Sequence, residues 1–129
     1  MIETYVQNIK SELNGFEPEV LIILGSGLSV LADKIENKII IPYTKIGFPK
    51  IAIVGHKGEL IAGILGGRKV LCMNGRYHLY EGHSPALVKD MMACYQKLGI
   101  KMMIATNAAG SLQRNMRAGS LMMITDHIN

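Results

Sequence analysis

Cysteine is scarce in this 129-residue chain. Cys72 and Cys94 are the only two, each in apolar surroundings and with no short spacing between them. Two such thiols do not make a disulfide framework; they read as reduced, buried and structural, which fits a cytoplasmic protein. Long apolar runs are also missing. None reaches the length of a membrane span, so no transmembrane helix is expected. The N-terminus, Met1-Ile2-Glu3-Thr4-Tyr5, has no basic start followed by an apolar stretch, so no secretory signal is expected. Charge is sparse: 19% of residues are charged, and the net charge of +4 is scattered. A dense Lys/Arg stripe with interleaved aromatics is absent, so no nucleic-acid partner is expected. The mild positive charge could assist the approach of an anionic substrate, but decides nothing alone. There is no internal repeat, low-complexity segment or linker. What is present is 49% apolar residues at the size of one ordinary domain, which predicts a single packed unit over residues 1–129.

The pattern of elements is alternating. Ile2, Tyr5, Val6, Ile9 and Leu13 share one helical face, and Gly15 stops that helix. Residues 20–24 are a continuous β-rich apolar run, as in a strand buried on both faces. Gly25-Ser26-Gly27-Leu28-Ser29 follows, and then one or two helical turns. A short strand over residues 39–41 stops at Pro42, and residues 43–49 read as a loop. Gly55 and Gly58 flank His56-Lys57, a turn that presents His56. Residues 59–65 and 69–73 flank Gly66-Gly67-Arg68, the signal of an antiparallel hairpin. Ser84-Pro85 caps a helix whose apolar face is Leu87, Val88, Met91, Met92, Tyr95 and Leu98, and Gly99 ends it. A buried strand over residues 100–105 and a last strand over residues 120–125 complete the chain. The fold class is α/β, with a mixed β-sheet flanked by helices.

Three of these strands end in chemistry. The richest end is Gly75-Arg76-Tyr77-His78-Leu79-Tyr80-Glu81-Gly82, after the apolar run 69–73. On an extended backbone Arg76 and His78 point to one face, with Tyr80 next on it. A guanidinium fork beside an imidazole suits an oxyanion such as phosphate. An exposed polar loop is the alternative. At Gly25-Ser26-Gly27 a strand, a tight turn and a helical start offer backbone N–H groups and a hydroxyl to an anion. A plain tight turn is the alternative there. A dinucleotide fingerprint fits poorly, because Val30 stands in place of the third glycine and residues 45–50 contain no acid. At Thr106-Asn107-Ala108-Ala109-Gly110-Ser111 small residues leave room for a ligand, and the Asn107 amide both donates and accepts. The three ends, at Gly25, Arg76 and Asn107, are expected to converge. His56 is weak by itself, since a lone histidine in a turn is usually just solvated. His56, His78 and His83 have no metal-ligand spacing, so no metal is expected.

Taken together, Leu24-Gly25-Ser26-Gly27-Leu28, Gly55-His56-x-Gly58, Gly75-Arg76-x-His78-x-Tyr80-Glu81-Gly82, Thr106-Asn107-Ala108-Ala109-Gly110 and Asp126-His127-Ile128-Asn129 resemble the trimeric purine nucleoside phosphorylases. Order and spacing match through essentially the whole chain. The resemblance implies cleavage of purine ribonucleosides by inorganic phosphate, giving free base and ribose 1-phosphate, with no cofactor. It implies that Ser26, Arg76, His78 and the backbone N–H of Ala108 hold phosphate, with Tyr77 beside them. His56 would approach the phosphate from its own loop. Asn107 joins Arg76, His78 and His56 among the catalytic candidates, Tyr80 lines the ribose, and Ala109 and Gly110 form part of the purine wall. A homotrimer is the implied assembly.

Some positions depart from that family's pattern. Ser29, Tyr77, His83, Ser111 and Ser120 stand where glycine, phenylalanine, tyrosine, glycine and aspartate are usual. Gly119-Ser120-Leu121 is similar to the related methylthioadenosine phosphorylases. The family's chains run about twice as far, and the half that would carry the purine-recognising glutamate and asparagine is not in this sequence. The expectation is therefore a truncated form, folded well only by self-association or with a complementing partner, with an unpaired sheet edge and an uncovered apolar face.

Overall fold

The computed structural model describes residues 1–51 and 57–128. Its elements in chain order are α1 (Ile2–Leu13), β1 (Val20–Ile23), α2 (Val30–Asp33), β2 (Glu36–Pro42), α3 (Tyr43–Ile46), β3 (Glu59–Leu65), β4 (Arg68–Asn74), a 3-10 turn (Leu79–Glu81), α4 (Pro85–Lys97) and β5 (Met102–Ala105). Five strands form one mixed sheet in the order β2-β3-β4-β1-β5. β4, β1 and β5 run parallel, while β2 and β3 are antiparallel to their neighbours.

The alternation of side chains along the strands decides which face each residue serves. Leu21 pairs with Leu71, which pairs with Ala62. This row lies in the larger core with Tyr5, Ile9 and Leu13 of α1 and Met91, Cys94 and Tyr95 of α4. Ile22, Cys72 and Ile61 form the next row and face the other way. They pack in a smaller core whose only helical cover among the described residues is the short α2 region, through Ala32 and Ile35. The two faces are thus unequally covered. A hollow of about 560 Å³ opens on the second face, lined by Val20, Ile22, Val70, Met102 and Ile104 among others.

Local signals set most element ends. Asn14 and Gly15 leave α1 with positive φ. The hairpin between β3 and β4 turns through Gly66 and Gly67 at φ 55° and 75°, where two consecutive positive φ values favour glycine. The Ser84 hydroxyl accepts from the Leu87 N–H at 3.3 Å, and Pro85 fills the first turn of α4. Glu3 of α1 and Lys97 of α4 form an ion pair that lowers the Glu3 carboxyl pKa.

Four expectations need correction. Residues 43–49 are not a simple loop. Tyr43–Ile46 makes a helical turn, and Tyr43, Ile46 and Phe48 are all buried. Phe48 sits edge-on to Tyr5, Tyr43 and Tyr95, so this segment is core. β2 runs over seven residues rather than three, because a register shift between Glu36 and Ile39 lets its start continue pairing with β3. β5 is not buried: among the described residues it pairs with β1 alone, and Met102, Met103 and Ile104 are 58%, 54% and 46% exposed. Residues 120–125 form no strand and are exposed. An apolar run becomes a strand only when a neighbour offers a ladder and a face to pack on, and residues 120–125 have neither here. The unpaired edge and uncovered apolar face are both present, at β5 and on the second face of the sheet.

Both cysteines are free and buried. Burial pushes the Cys72 thiol up to about 12 and the Cys94 thiol up to about 11, from a usual value of 9.0. Burial likewise raises the hydroxyls of Tyr43, Tyr77 and Tyr95. These groups stay protonated when folded while the unfolded chain loses protons from about pH 9 upward. The unfolded state then binds fewer protons, so stability is intact below pH 9 and falls as the pH rises toward 12. A series of thermal melts between pH 7 and 11 should show a flat Tm to about pH 9 and a decline beyond it. A Tm that holds level to pH 11 would show that these groups titrate alike in both states.

Candidate active site

The site stands at the C-terminal ends of the parallel strands β4, β1 and β5. β1 leads away to the hairpin and β4, on one side, and the chain then returns through α4 to β5 on the other. This is a reversal of strand order, the position at which open α/β sheets place their ligands.

The end of β4 is fixed from below. Asn74 is buried, donates through Nδ2 to Glu59 Oε1 at 2.9 Å, and its carbonyl accepts from the Gly58 N–H at 3.1 Å. The Tyr43 hydroxyl donates to the Gly75 carbonyl at 2.5 Å. The Tyr77 hydroxyl donates to the Pro49 carbonyl at 2.6 Å, and its ring stacks on Tyr43 at 5.6 Å. Tyr77 faces the core, while its two neighbours Arg76 and His78 are only half-buried. The Tyr77 side chain is thereby committed to packing, so any phosphate contact from this residue would come from its main chain.

Arg76 is half-buried, and its Nη1 donates to the Thr106 carbonyl at 3.2 Å. That bond uses one of five guanidinium N–H groups. His78 is extended at φ −107° and ψ 140°. Its backbone N–H donates to Glu81 Oε2 at 2.7 Å, and the Glu81 N–H donates to the His78 carbonyl at 3.0 Å. Glu81 thus holds His78 at the start of the 3-10 turn. The turn also corrects the expected geometry of Tyr80. It does not continue an extended run, but curls back so that its ring stacks on His78, with centroids 4.9 Å apart and planes 21° apart. The Tyr80 face remains largely exposed, at 78%.

β1 and β5 meet at Thr106. Its N–H and its hydroxyl both donate to the Ile23 carbonyl, at 3.0 and 2.9 Å. The same hydroxyl accepts from the Gly25 N–H at 2.8 Å. Gly25 has no room for a side chain: a Cβ there would lie 2.5 Å from the Thr106 carbonyl oxygen and 2.7 Å from Asn107 Cα. Gly25, Arg76 and the 106–107 segment therefore converge, as expected, through direct contacts. Ser26, Asn107, Ala108, Ala109 and Gly110 are all exposed on this open end of the sheet. The Asn107 amide reaches the Ala108 carbonyl at 3.5 Å. His56 lies outside the described residues. The 560 Å³ hollow is not this site; it lies along the sheet face, and its walls are mainly aliphatic.

An open rim with a guanidinium, an imidazole, a hydroxyl and small residues can receive a compact oxyanion and a ring-shaped ligand beside it. The family comparison decides whose rim this is. Residues 19–129 match the Phosphorylase superfamily along their length. The chain belongs to the phosphorylase superfamily. Within that superfamily it is 47% identical over 113 residues to purine nucleoside phosphorylase 1 of Bacillus subtilis, across 87% of this chain and 42% of that relative. Its fold superposes on a crystal structure of a purine nucleoside phosphorylase in complex with ribose 1-phosphate with a TM-score of 0.82 and 45% identity, over 92% of this chain and 43% of the other. The Schistosoma mansoni purine nucleoside phosphorylase in complex with inosine gives 0.80 and 44%, over 92% and 41%. The match falls on the N-terminal portion of these proteins. This phosphorylase chain therefore spans about two-fifths of the length of the relatives it matches.

Thr106 is the residue that sequence reasoning undervalued. It stood inside a quoted motif without a role, although a hydroxyl at the end of a strand, beside a glycine turn on the next strand, is a usable signal for a link between the two.

Proposed function

We propose that this chain supplies the phosphate- and ribose-facing part of a purine nucleoside phosphorylase site, in the service of purine salvage. Ser26, Arg76, His78 and the Ala108 N–H hold phosphate, with Tyr77 contributing main chain, and His56 approaches from its own loop. Tyr80 lines the ribose, Asn107 stands beside the reacting groups, and Ala109 and Gly110 begin the purine wall. The observation that carries this reading is the meeting of Gly25, Arg76 and Thr106 at one point, beside His78 and Tyr80. Solved relatives hold ribose 1-phosphate in one case and inosine in another, which supports the substrate class.

The chemistry follows from the charges. As the N-glycosidic bond breaks, the sugar develops oxocarbenium character. A phosphate held at the rim stabilises that charge and then attacks the sugar carbon, giving ribose 1-phosphate and free base. The nucleophile is already anionic, so phosphate is a co-substrate and no cofactor is required. Arg76 balances the phosphate charge through its planar guanidinium fork, with His78 and His56 beside it as hydrogen-bonding groups. We take residues 1–129 as one folding unit of a cytoplasmic homotrimer.

A second reading is favoured by the exposed β5 and by the two-fifths coverage. In it the chain binds phosphate but turns over substrate only with a complementing polypeptide, because groups that act as a unit are strongly non-additive. Within the superfamily, a methylthioadenosine phosphorylase is the alternative substrate assignment. Incubation of the chain with inosine or methylthioadenosine, each with and without phosphate, beside a phosphate-binding titration, separates these readings. Phosphate-dependent release of hypoxanthine supports the enzyme. Saturable phosphate binding without release supports the partner-dependent chain, and release from methylthioadenosine alone supports the related activity.

A further inference from the structure

We infer that Thr106 is a positioning residue: its hydroxyl and carbonyl tie the Gly25-Ser26-Gly27 turn to the Arg76 guanidinium, so that both address one phosphate. This inference rests on the phosphate reading above. The last paired residues of β1 and β5 are Ile23 and Ala105, so the sheet ladder ends just before the turn. Beyond it, Thr106 continues the contact with polar atoms in place of a strand. Its hydroxyl donates to Ile23 and accepts from Gly25, on either side of Leu24. Its carbonyl accepts from Arg76 Nη1. One residue therefore fixes the Leu24–Gly25 peptide plane, one residue ahead of Ser26, and restrains the side chain that carries the positive charge.

The residue type matters because a hydroxyl donates and accepts at once. Valine has nearly the same shape and a β-branched stem suited to a strand end, but does neither. Without the bond, the Gly25 N–H loses its partner, and the Leu24–Gly25 peptide ahead of Ser26 is less restrained, since glycine adds no side-chain restraint of its own. The Gly25 backbone already lies against the Thr106 carbonyl, so the two move together.

The test is calorimetric titration of the 129-residue chain with inorganic phosphate at constant ionic strength, with melting temperatures measured alongside. Thr106→Val should weaken phosphate binding about tenfold, the scale expected when a half-buried hydrogen-bonded link is cut. Thr106→Ser, which keeps the hydroxyl, should bind within about twofold of the parent. A strand-end staple with no bearing on the site would change the melting temperature alone. Arg76→Ala is the control for the underlying reading. If Arg76→Ala loses phosphate while Thr106→Val binds as the parent does, or if Thr106→Ser is as weak as Thr106→Val, the positioning role is overturned and the phosphate site stands. If the parent chain shows no saturable phosphate binding, or Arg76→Ala binds unchanged, both fall. Should Thr106→Val not fold, amide hydrogen exchange of the parent chain decides. A Gly25 N–H protected well beyond an open turn supports the link, and exchange at the open-turn rate overturns it.

Discussion

Replacing Arg76 with alanine should lower phosphate affinity by about one to two orders of magnitude, the range of a charge-assisted, two-pronged contact to an oxyanion. The side chain is half-buried and already restrained by the Thr106 carbonyl, so it need not be ordered when phosphate arrives. Its loss should leave the fold nearly intact. The core beneath belongs to Tyr43, Tyr77 and Phe48, and the hydroxyl bonds of the two tyrosines to Gly75 and Pro49 do not involve Arg76. Arg76→Lys should recover only part of the affinity, because an ammonium offers a point charge rather than a planar fork. Calorimetric titration of parent, Ala and Lys chains with phosphate checks the order. Equal affinities across the three would remove Arg76 from the site.

Gly25→Ala should be the most damaging single methyl in the chain's site. The added Cβ would meet three main-chain atoms of residues 106 and 107 at 2.5, 2.7 and 2.9 Å, and main chain cannot swing aside as a side chain can. Relief requires β5 to move off β1, the only strand that β5 pairs with among the described residues. Overpacking of this kind costs about 2 kcal/mol, a fall in Tm of roughly 5–10 °C at this size. Phosphate binding should fall with it, since Ser26 and Ala108 flank the disturbed contact. Gly110→Ala is the matched control: a Cβ there meets nothing within 4 Å, so its Tm should stay within about a degree or two of the parent. Thermal melts of the three chains suffice. A Gly25→Ala chain as stable as the Gly110→Ala chain would mean that β1 and β5 do not approach as described.

Much of this arrangement was legible in the residues. The helical face of Tyr5, Val6, Ile9 and Leu13, the Gly66-Gly67 hairpin and the Ser84-Pro85 cap each carry a local cause, and each appears where its cause lies. Convergence of the three strand ends could also be read, because parallel strands in a wound sheet deliver their loops to one edge. The direction of Tyr77 was legible but unused: if Arg76 and His78 share a face, Tyr77 takes the other, and the other is core. What could not be read depends on neighbours. Tyr43, Ile46 and Phe48 became core because α1 and α4 close over them. Met102, Met103 and Ile104 look like a buried strand in sequence but are exposed, because only β1 lies beside them and little covers their faces. The run 120–125 has strand composition and no partner strand. Tyr80 reaches His78 through a 3-10 turn that Glu81 closes, a capping interaction that masks as a catalytic-looking acid in the sequence.

The most direct measurement is an NMR titration of the isotopically labelled 129-residue chain with inorganic phosphate, following backbone amides. The proposed phosphate site predicts saturable shifts at residues 25–27, 76–78 and 106–110 and at His56, with β2 and the β3–β4 hairpin turn unmoved. Shifts that never saturate, or that gather at scattered surface lysines in place of these three strand ends, would contradict a phosphate site built from them.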